Sequence, residues 1–202
     1  MEIAISILLV VGSYLLGSLS SAILVCRLLH LPDPRREGSG NPGATNVLRF
    51  GGRFAALLTL LGDVAKGWLP VFLAHLLSLN PWIIVSTLLA AVCGHIYPIF
   101  FQFKGGKGVA TLLGGLFGLS IILGAIFIIT WIIIFVLFRY SSLAALIAII
   151  GLPFWAWKLS GIPYTVGLSI LALIVVWRHK TNIQRLLAGT EDKSSLFKKV
   201  AK

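Results

Sequence analysis

The sequence predicts an all-α integral membrane protein, a bundle of about seven transmembrane helices. Three observations carry that reading. Of 202 residues, 58% are hydrophobic and 11% are charged, with a mean hydropathy of +0.99. An ordinary soluble domain carries about a quarter charged residues. Runs such as 83–91 and 119–138 exceed what a core of this chain length can bury. The runs are continuously apolar rather than alternating, and in lipid that favours helices over barrel strands.

About 20 apolar residues cross the hydrocarbon layer. On that ruler the spans fall at 3–27, 54–79, 82–102, 108–122, 124–139, 142–158 and 163–179. The first follows Glu2 rather than Lys or Arg and is too long for a signal segment, so no cleaved leader is expected. Gly12, Gly17, Ser18, Ser20 and Ser21 give it small residues for close helix approach. The second holds the ionisable residues Asp63 and Lys66. The third ends before Phe103-Lys104. The fourth and fifth divide within Gly118–Gly124, near the packing glycines Gly114 and Gly115. The fifth and sixth divide at Ser141-Ser142, after Arg139. The seventh ends at Arg178.

Charge agrees with this count. Arginines at 27, 35, 36, 49 and 53, Lys104, Lys107, Arg139 and all basic residues from Arg178 onward fall on one side. Lys158 alone falls opposite, and Lys66 lies within a helix. The positive-inside rule then puts the N-terminus outside and the C-terminus in the cytoplasm, with 190–202 a short basic cytoplasmic tail. The whole chain, 1–202, reads as one polytopic membrane domain. The net charge of +11 follows from that asymmetry, so no nucleic-acid partner is expected. Cys26 and Cys93 sit in apolar runs without metal-ligand spacing, and the four histidines are scattered. No disulfide, metal or cofactor is predicted.

Four polar clusters interrupt the apolar sequence, all near the cytoplasmic face. The first runs from Gly38 through Ser39, Gly40, Asn41, Gly43, Ala44, Thr45 and Asn46 to Arg49. Glycines allow close backbone approach to a ligand, and Arg offers a planar fork for phosphate. Backbone N–H groups together with Arg make an anion site. The same residues also favour a plain turn with a helix cap. The second cluster, FKGGKGVAT at 103–111, joins Lys104 and Lys107 to Gly105, Gly106 and Gly108 ahead of a helix N-terminus. That is a phosphate cradle by its physics, or a turn with positive-inside lysines. It is not a P-loop, because Gly108 stands where Ser or Thr should follow the lysine.

The third cluster is Asp63-Val64-Ala65-Lys66-Gly67, where a structural ion pair and a lysine reaching toward an anion are both open. The fourth, 178–191, puts His179 and Asn182 on one helix face, or rests as a basic amphipathic end on anionic headgroups. His95, before Tyr97-Pro98, reads as a buried structural histidine or a binding residue. His30 and His75 have no polar company. Ser142, with Tyr140 and Ser141 at a helix start, reads as a cap or as a residue facing the same mouth. Together the clusters call for a substrate with a phosphate head and an apolar tail.

These motifs resemble those of the bacterial acyl-phosphate:glycerol-3-phosphate acyltransferases. The resemblance rests on GSGNPGATNVLR at 38–49, DVAKG at 63–67, GHIYPIFFQFKGGKGVAT at 94–111 and HKTNIQRLLAGTE at 179–191, and covers nearly the whole chain. It implies transfer of an acyl group from acyl phosphate to the 1-hydroxyl of glycerol 3-phosphate. The products would be lysophosphatidate and inorganic phosphate, at the bacterial inner membrane with the site facing the cytoplasm. Ser39 and Arg49 would be essential, the 104–108 loop would bind glycerol phosphate, and His179 with Asn182 would be the critical pair. Lys104 and the amides of Gly105–Gly108 would hold phosphate with Arg49. His179 would be general base or orienting donor, or the leaving phosphate would take the proton. Partners would be the two substrates and membrane lipids, with no obligate protein partner and a monomer expected. Lys180 departs from the family, which commonly has Arg there.

The rival reading is a transporter or channel for an anionic lipid or phosphate. It predicts polar residues through the whole depth, whereas here they gather at one face. A covalent acyl-Ser39 is disfavoured, since no His–Asp relay accompanies it.

Overall fold

The computed structural model describes residues 2–194. Those residues form nine α-helices and one 3-10 turn, Ile99–Phe101, with no strand among them. The described residues make an all-helical integral membrane protein. Large apolar side chains such as Ile121, Ile133 and Leu137 cover the outer faces of the bundle, as a lipid-facing surface requires.

Helix α1 (Glu2–Gly17) and α2 (Ser21–Leu28) are one apolar run bent by 46°. The sequence predicts a single span over 3–27. The serines explain the bend. Ser13 and Ser18 donate back to the carbonyls of Leu9 and Tyr14, and such bonds compete with the helix ladder and bend it. The break exposes the Leu19 carbonyl, which Lys66 satisfies from α3 at 2.8 Å.

Helix α3 (Ala44–Leu76) begins at Ala44, not at 54 as the span reading had it. The predicted spans 3–27 and 54–79 leave its first two turns between helices. They are a separate helical piece, divided from the rest at Gly52, where φ is 81° and ψ 179°. Helix α4 (Pro81–Ile96) starts on Asn80, whose side chain accepts from Trp82 N at 2.9 Å. It stops at Ile96, short of the predicted 102, because Pro98 pushes the preceding residue out of helical conformation.

Helix α5 (Val109–Leu119) has 11 residues, about 16 Å of rise, too short to cross the hydrocarbon layer. The break into α6 (Ile121–Phe138) falls on Ser120 rather than a glycine; its backbone is extended and its Oγ accepts from Leu123 N at 3.4 Å. Helices α7 (Ser141–Leu159), α8 (Ile162–Arg178) and α9 (Lys180–Leu187) follow, with a 60° bend between the last two. By length and hydropathy four helical stretches can cross a membrane, or six elements if each bent pair is one span. The cytoplasmic tail expected at 190–202 lies, beyond residue 194, outside the described residues.

The core runs between α4, α5, α7 and α8, through Leu88, Leu112, Leu116, Ile149, Leu168 and Leu171. The α3–α5 contact is a glycine seam. A Cβ on Gly67 would lie 1.9 Å from the Thr111 carbonyl oxygen, and one on Gly114 would lie 2.0 Å from that of Val64. Only hydrogen fits there, so the backbones touch and the first turn of α5 is held beside α3.

Candidate active site

Three helices start at one place. The first turns of α3, α5 and α7 contribute Ala44 and Thr45, Val109 and Ala110, and Ser141 and Ser142 to the wall of one cavity of about 580 Å³. That volume lies within the range of small-molecule sites. Each helix start leaves backbone N–H groups without an acceptor inside the helix and carries a positive partial charge. Convergent starts make a strong anion site. Arg49, Lys107 and Arg185 border the same cavity with full charges, and Leu60, Ile128, Trp131 and Ala145 form an apolar stretch of its wall.

The cavity's polar side chains form a network. Glu191 accepts from Ser142 Oγ at 2.6 Å, Asn182 Nδ2 at 2.7 Å and Arg185 Nε at 2.7 Å. Asn182 Oδ1 accepts from Lys107 Nζ. Arg49 faces Asp192 at 3.4 Å. Burial opposes the Glu191 charge, but its bonds from Ser142, Arg185 and Asn182 outweigh it and hold the carboxyl below the usual range. Burial, with the nearby Arg185, Arg178 and Arg49 charges against the opposing pull of Glu191, brings Lys107 down to about 8. It remains mostly an ammonium at neutral pH.

His179 sits at the α8–α9 bend, 2% exposed. Its Nδ1 is 2.7 Å from the Val175 carbonyl. A carbonyl only accepts, so Nδ1 carries the hydrogen and Nε2 of the neutral ring keeps its lone pair.

A family model described as glycerol-3-phosphate acyltransferase matches residues 7–189. The chain belongs to that family. A curated glycerol-3-phosphate acyltransferase of Vibrio campbellii is 50% identical over 190 residues, covering 94% of this chain and 93% of the relative. One of Methylobacillus flagellatus is 52% identical over 183 residues, covering 90% and 93%. The solved structure of PlsY, an integral membrane glycerol 3-phosphate acyltransferase, in its glycerol 3-phosphate form superposes with a TM-score of 0.89 at 37% identity, covering 95% of this chain and 96% of that one. Its lysophosphatidic acid form gives 0.87 at 36% identity, covering 93% and 94%.

Within this acyltransferase the cavity gathers most of the residues drawn from the sequence. Ser39, Asn41, Gly43, Ala44, Thr45, Arg49, Lys107, Gly108, Ser142, His179 and Asn182 all border it, as do Asn46 and His95. Gly40 and Gly105 instead border an adjoining cavity of about 230 Å³ with Arg178 and Lys180.

Several residues are placed otherwise than the sequence suggested. Lys104 borders neither cavity and its side chain is exposed. Left-handed backbone at Gln102 and Phe103, φ 57° each, turns the chain just before it. Lys66 is buried on Asp63 and the Leu19 carbonyl, away from the cavity wall. Asn46 spends its amide on the loop itself, accepting from Ser39 N and donating to the carbonyls of Pro34 and Glu37. Gly106 offers no amide to a ligand, because its N–H bonds the His95 carbonyl at 3.1 Å. The carbonyls of Gly105 and Gly106 accept from Arg178. These two glycines serve close packing: a Cβ on Gly105 would lie 2.1 Å from the His95 carbonyl oxygen.

Sequence reasoning missed Glu191, Arg185 and Asp192 as members of the site. Glu191 closes the fourth motif, and Arg185 is three residues beyond Asn182, so both were in view. Nothing local says that 190–194 folds back over the cavity, as Ser194 N does by bonding the Arg139 carbonyl.

Proposed function

We propose that this acyltransferase uses acyl phosphate as donor and acylates the 1-hydroxyl of glycerol 3-phosphate. The supporting observation is the union, in one cavity, of convergent helix starts and three cations with an apolar wall. Two phosphate-bearing substrates, one with a long tail, need such a place. Phosphate is a good leaving group, so the cavity contributes mainly positioning and charge stabilisation.

In this reading Arg49, Lys107 and the amides of the α3 and α5 starts hold the phosphate of glycerol 3-phosphate, and Ser39, Thr45 and Ser142 orient it. The acyl chain lies along Leu60, Ile128, Trp131 and Ala145. The glycerol O1 attacks the acyl carbonyl carbon, an ester C–O bond forms, and the bond from that carbon to the phosphate oxygen breaks. The hydroxyl proton goes to His179 Nε2, and phosphate departs with its electron pair. Asn182 holds Lys107 in place.

The order of the elements supports the orientation. Taking the α1–α2 pair as the first, α1–α2, α4, α6 and α8 end near the site, and α3, α5 and α7 begin there. Such alternation supports seven membrane-embedded segments with α5 a short one, the N-terminus outside, and the site and C-terminus cytoplasmic. The positive loops support the same orientation at the bacterial inner membrane. A single domain over 1–202, acting as a monomer without a protein partner, completes the proposal.

The test is direct. Purified protein in detergent receives labelled glycerol 3-phosphate with palmitoyl phosphate or, in parallel, palmitoyl-CoA. Lysophosphatidate and phosphate in equal amounts from the phosphate donor alone are expected. Product from the thioester alone overturns the donor.

A further inference from the structure

At the cavity wall, α3 and α4 hold a cluster of three ionisable side chains that the transfer step does not use. Asp63, Lys66 and His95 are 2%, 5% and 7% exposed. Asp63 Oδ1 lies 2.8 Å from Lys66 Nζ and 3.5 Å from His95 Nδ1. Burying such a pair carries a desolvation cost, and an apolar pair of the same volume is often as stable. Its placement therefore asks for a reason other than stability.

Asp63 and His95 both border the cavity, and His95 is where the cluster meets the glycine loop. Its carbonyl accepts from Gly106 N, and a Cβ on Gly106 would lie 2.2 Å from His95 Nε2. The ring lies directly against the loop backbone. From the other side Arg178 donates to the Gly105 and Gly106 carbonyls at 3.2 and 3.3 Å. The next residue is Lys107, whose ammonium meets Asn182 in the cavity. Gly108 follows and opens α5.

The geometry points to Asp63 as a positioning residue that acts through His95. The carboxylate faces the imidazole Nδ1 at 3.5 Å, and its charge biases the ring's orientation. The imidazole seats the Gly105-Gly106 backbone, and that backbone delivers Lys107 and the α5 start to the phosphate of glycerol 3-phosphate. Lys66 balances the carboxylate charge and ties the cluster to the α1–α2 bend. This inference rests on the proposal that Lys107 holds that phosphate.

The experiment uses the full chain in detergent, with palmitoyl phosphate and glycerol 3-phosphate varied separately. Wild-type turnover tests the parent reading first and independently. Asp63→Asn and His95→Gln should each raise the KM for glycerol 3-phosphate about tenfold, the size of one weakened charged contact. Both kcat and the KM for palmitoyl phosphate should stay within about threefold. Because Asp63 acts through His95, the double variant should be no worse than the poorer single one, a coupling that independent sites do not show. An unchanged KM in either folded variant, multiplying losses in the double, or a collapse of kcat at unchanged KM overturns the inference. If Asp63→Asn does not fold, Asp63→Glu takes its place. Failure of both to fold makes the cluster a folding element and also overturns it.

Discussion

In the proposed mechanism Lys107 and His179 carry opposite demands on protonation. Lys107 must be charged to hold phosphate, and burial leaves its midpoint at about 8. Below that pH it is an ammonium; above it the charge is lost. The KM for glycerol 3-phosphate should therefore rise as pH passes about 8, and Lys107→Arg should flatten that rise, because guanidinium does not titrate there. Initial rates at low glycerol 3-phosphate report the free enzyme and show the effect best. His179, as base, should cost about 10²–10⁴ in kcat when changed to Gln, with little change in either KM. A near-normal rate in a folded His179→Gln would hand the proton to the leaving phosphate. Lys104 lies outside both cavities, so Lys104→Ala should leave both KM values within about twofold, as substitutions of exposed residues usually do. Neighbouring lysines in one motif are indistinguishable in sequence. The turn at Gln102 and Phe103 separates them.

At the scale of elements, the short helix α5 matters most. Its start carries Gly108 and Val109 into the cavity, and the α3–α5 seam fixes that start. Gly114→Ala would place a Cβ 2.0 Å from the Val64 carbonyl oxygen and 3.0 Å from Trp68 N, backbone atoms that cannot rotate away. It should lower Tm in detergent by about 2–12 °C. Gly151→Ala is the control, since its Cβ would meet nothing within 4 Å; it should not lower Tm. The glycines at 114, 115 and 118 were legible as packing residues, because small residues in an apolar run have few other uses. The helical state of 44–51 was not. Pro42-Gly43 and Gly51-Gly52 make it look like loop, and only the neighbours of Val47, with Ala22, Cys26 and Ala55 around it, make two turns of helix worth forming.

At the scale of the molecule, the proposed orientation has its own test. Cysteine placed at Ser160 or at Thr190 lies at opposite ends of the bundle, on the α7–α8 and C-terminal connections. A membrane-impermeant thiol reagent should label Ser160→Cys from outside the cell and Thr190→Cys only in inverted vesicles; the reverse pattern overturns the orientation. That the chain is helical and lies in a membrane was written in composition, because no soluble core can absorb so much apolar surface. The acyltransferase motifs were equally plain, each a local string. The bends at Ser18–Ser20 and His179, the truncation of α5, and the fold of Glu191 onto Ser142, Asn182 and Arg185 were not. Each depends on which distant backbone or side chain satisfies a polar group once water is gone. Lys66 finding the Leu19 carbonyl and Gly106 finding His95 are long-range pairings, and apolarity along the chain carries no record of them.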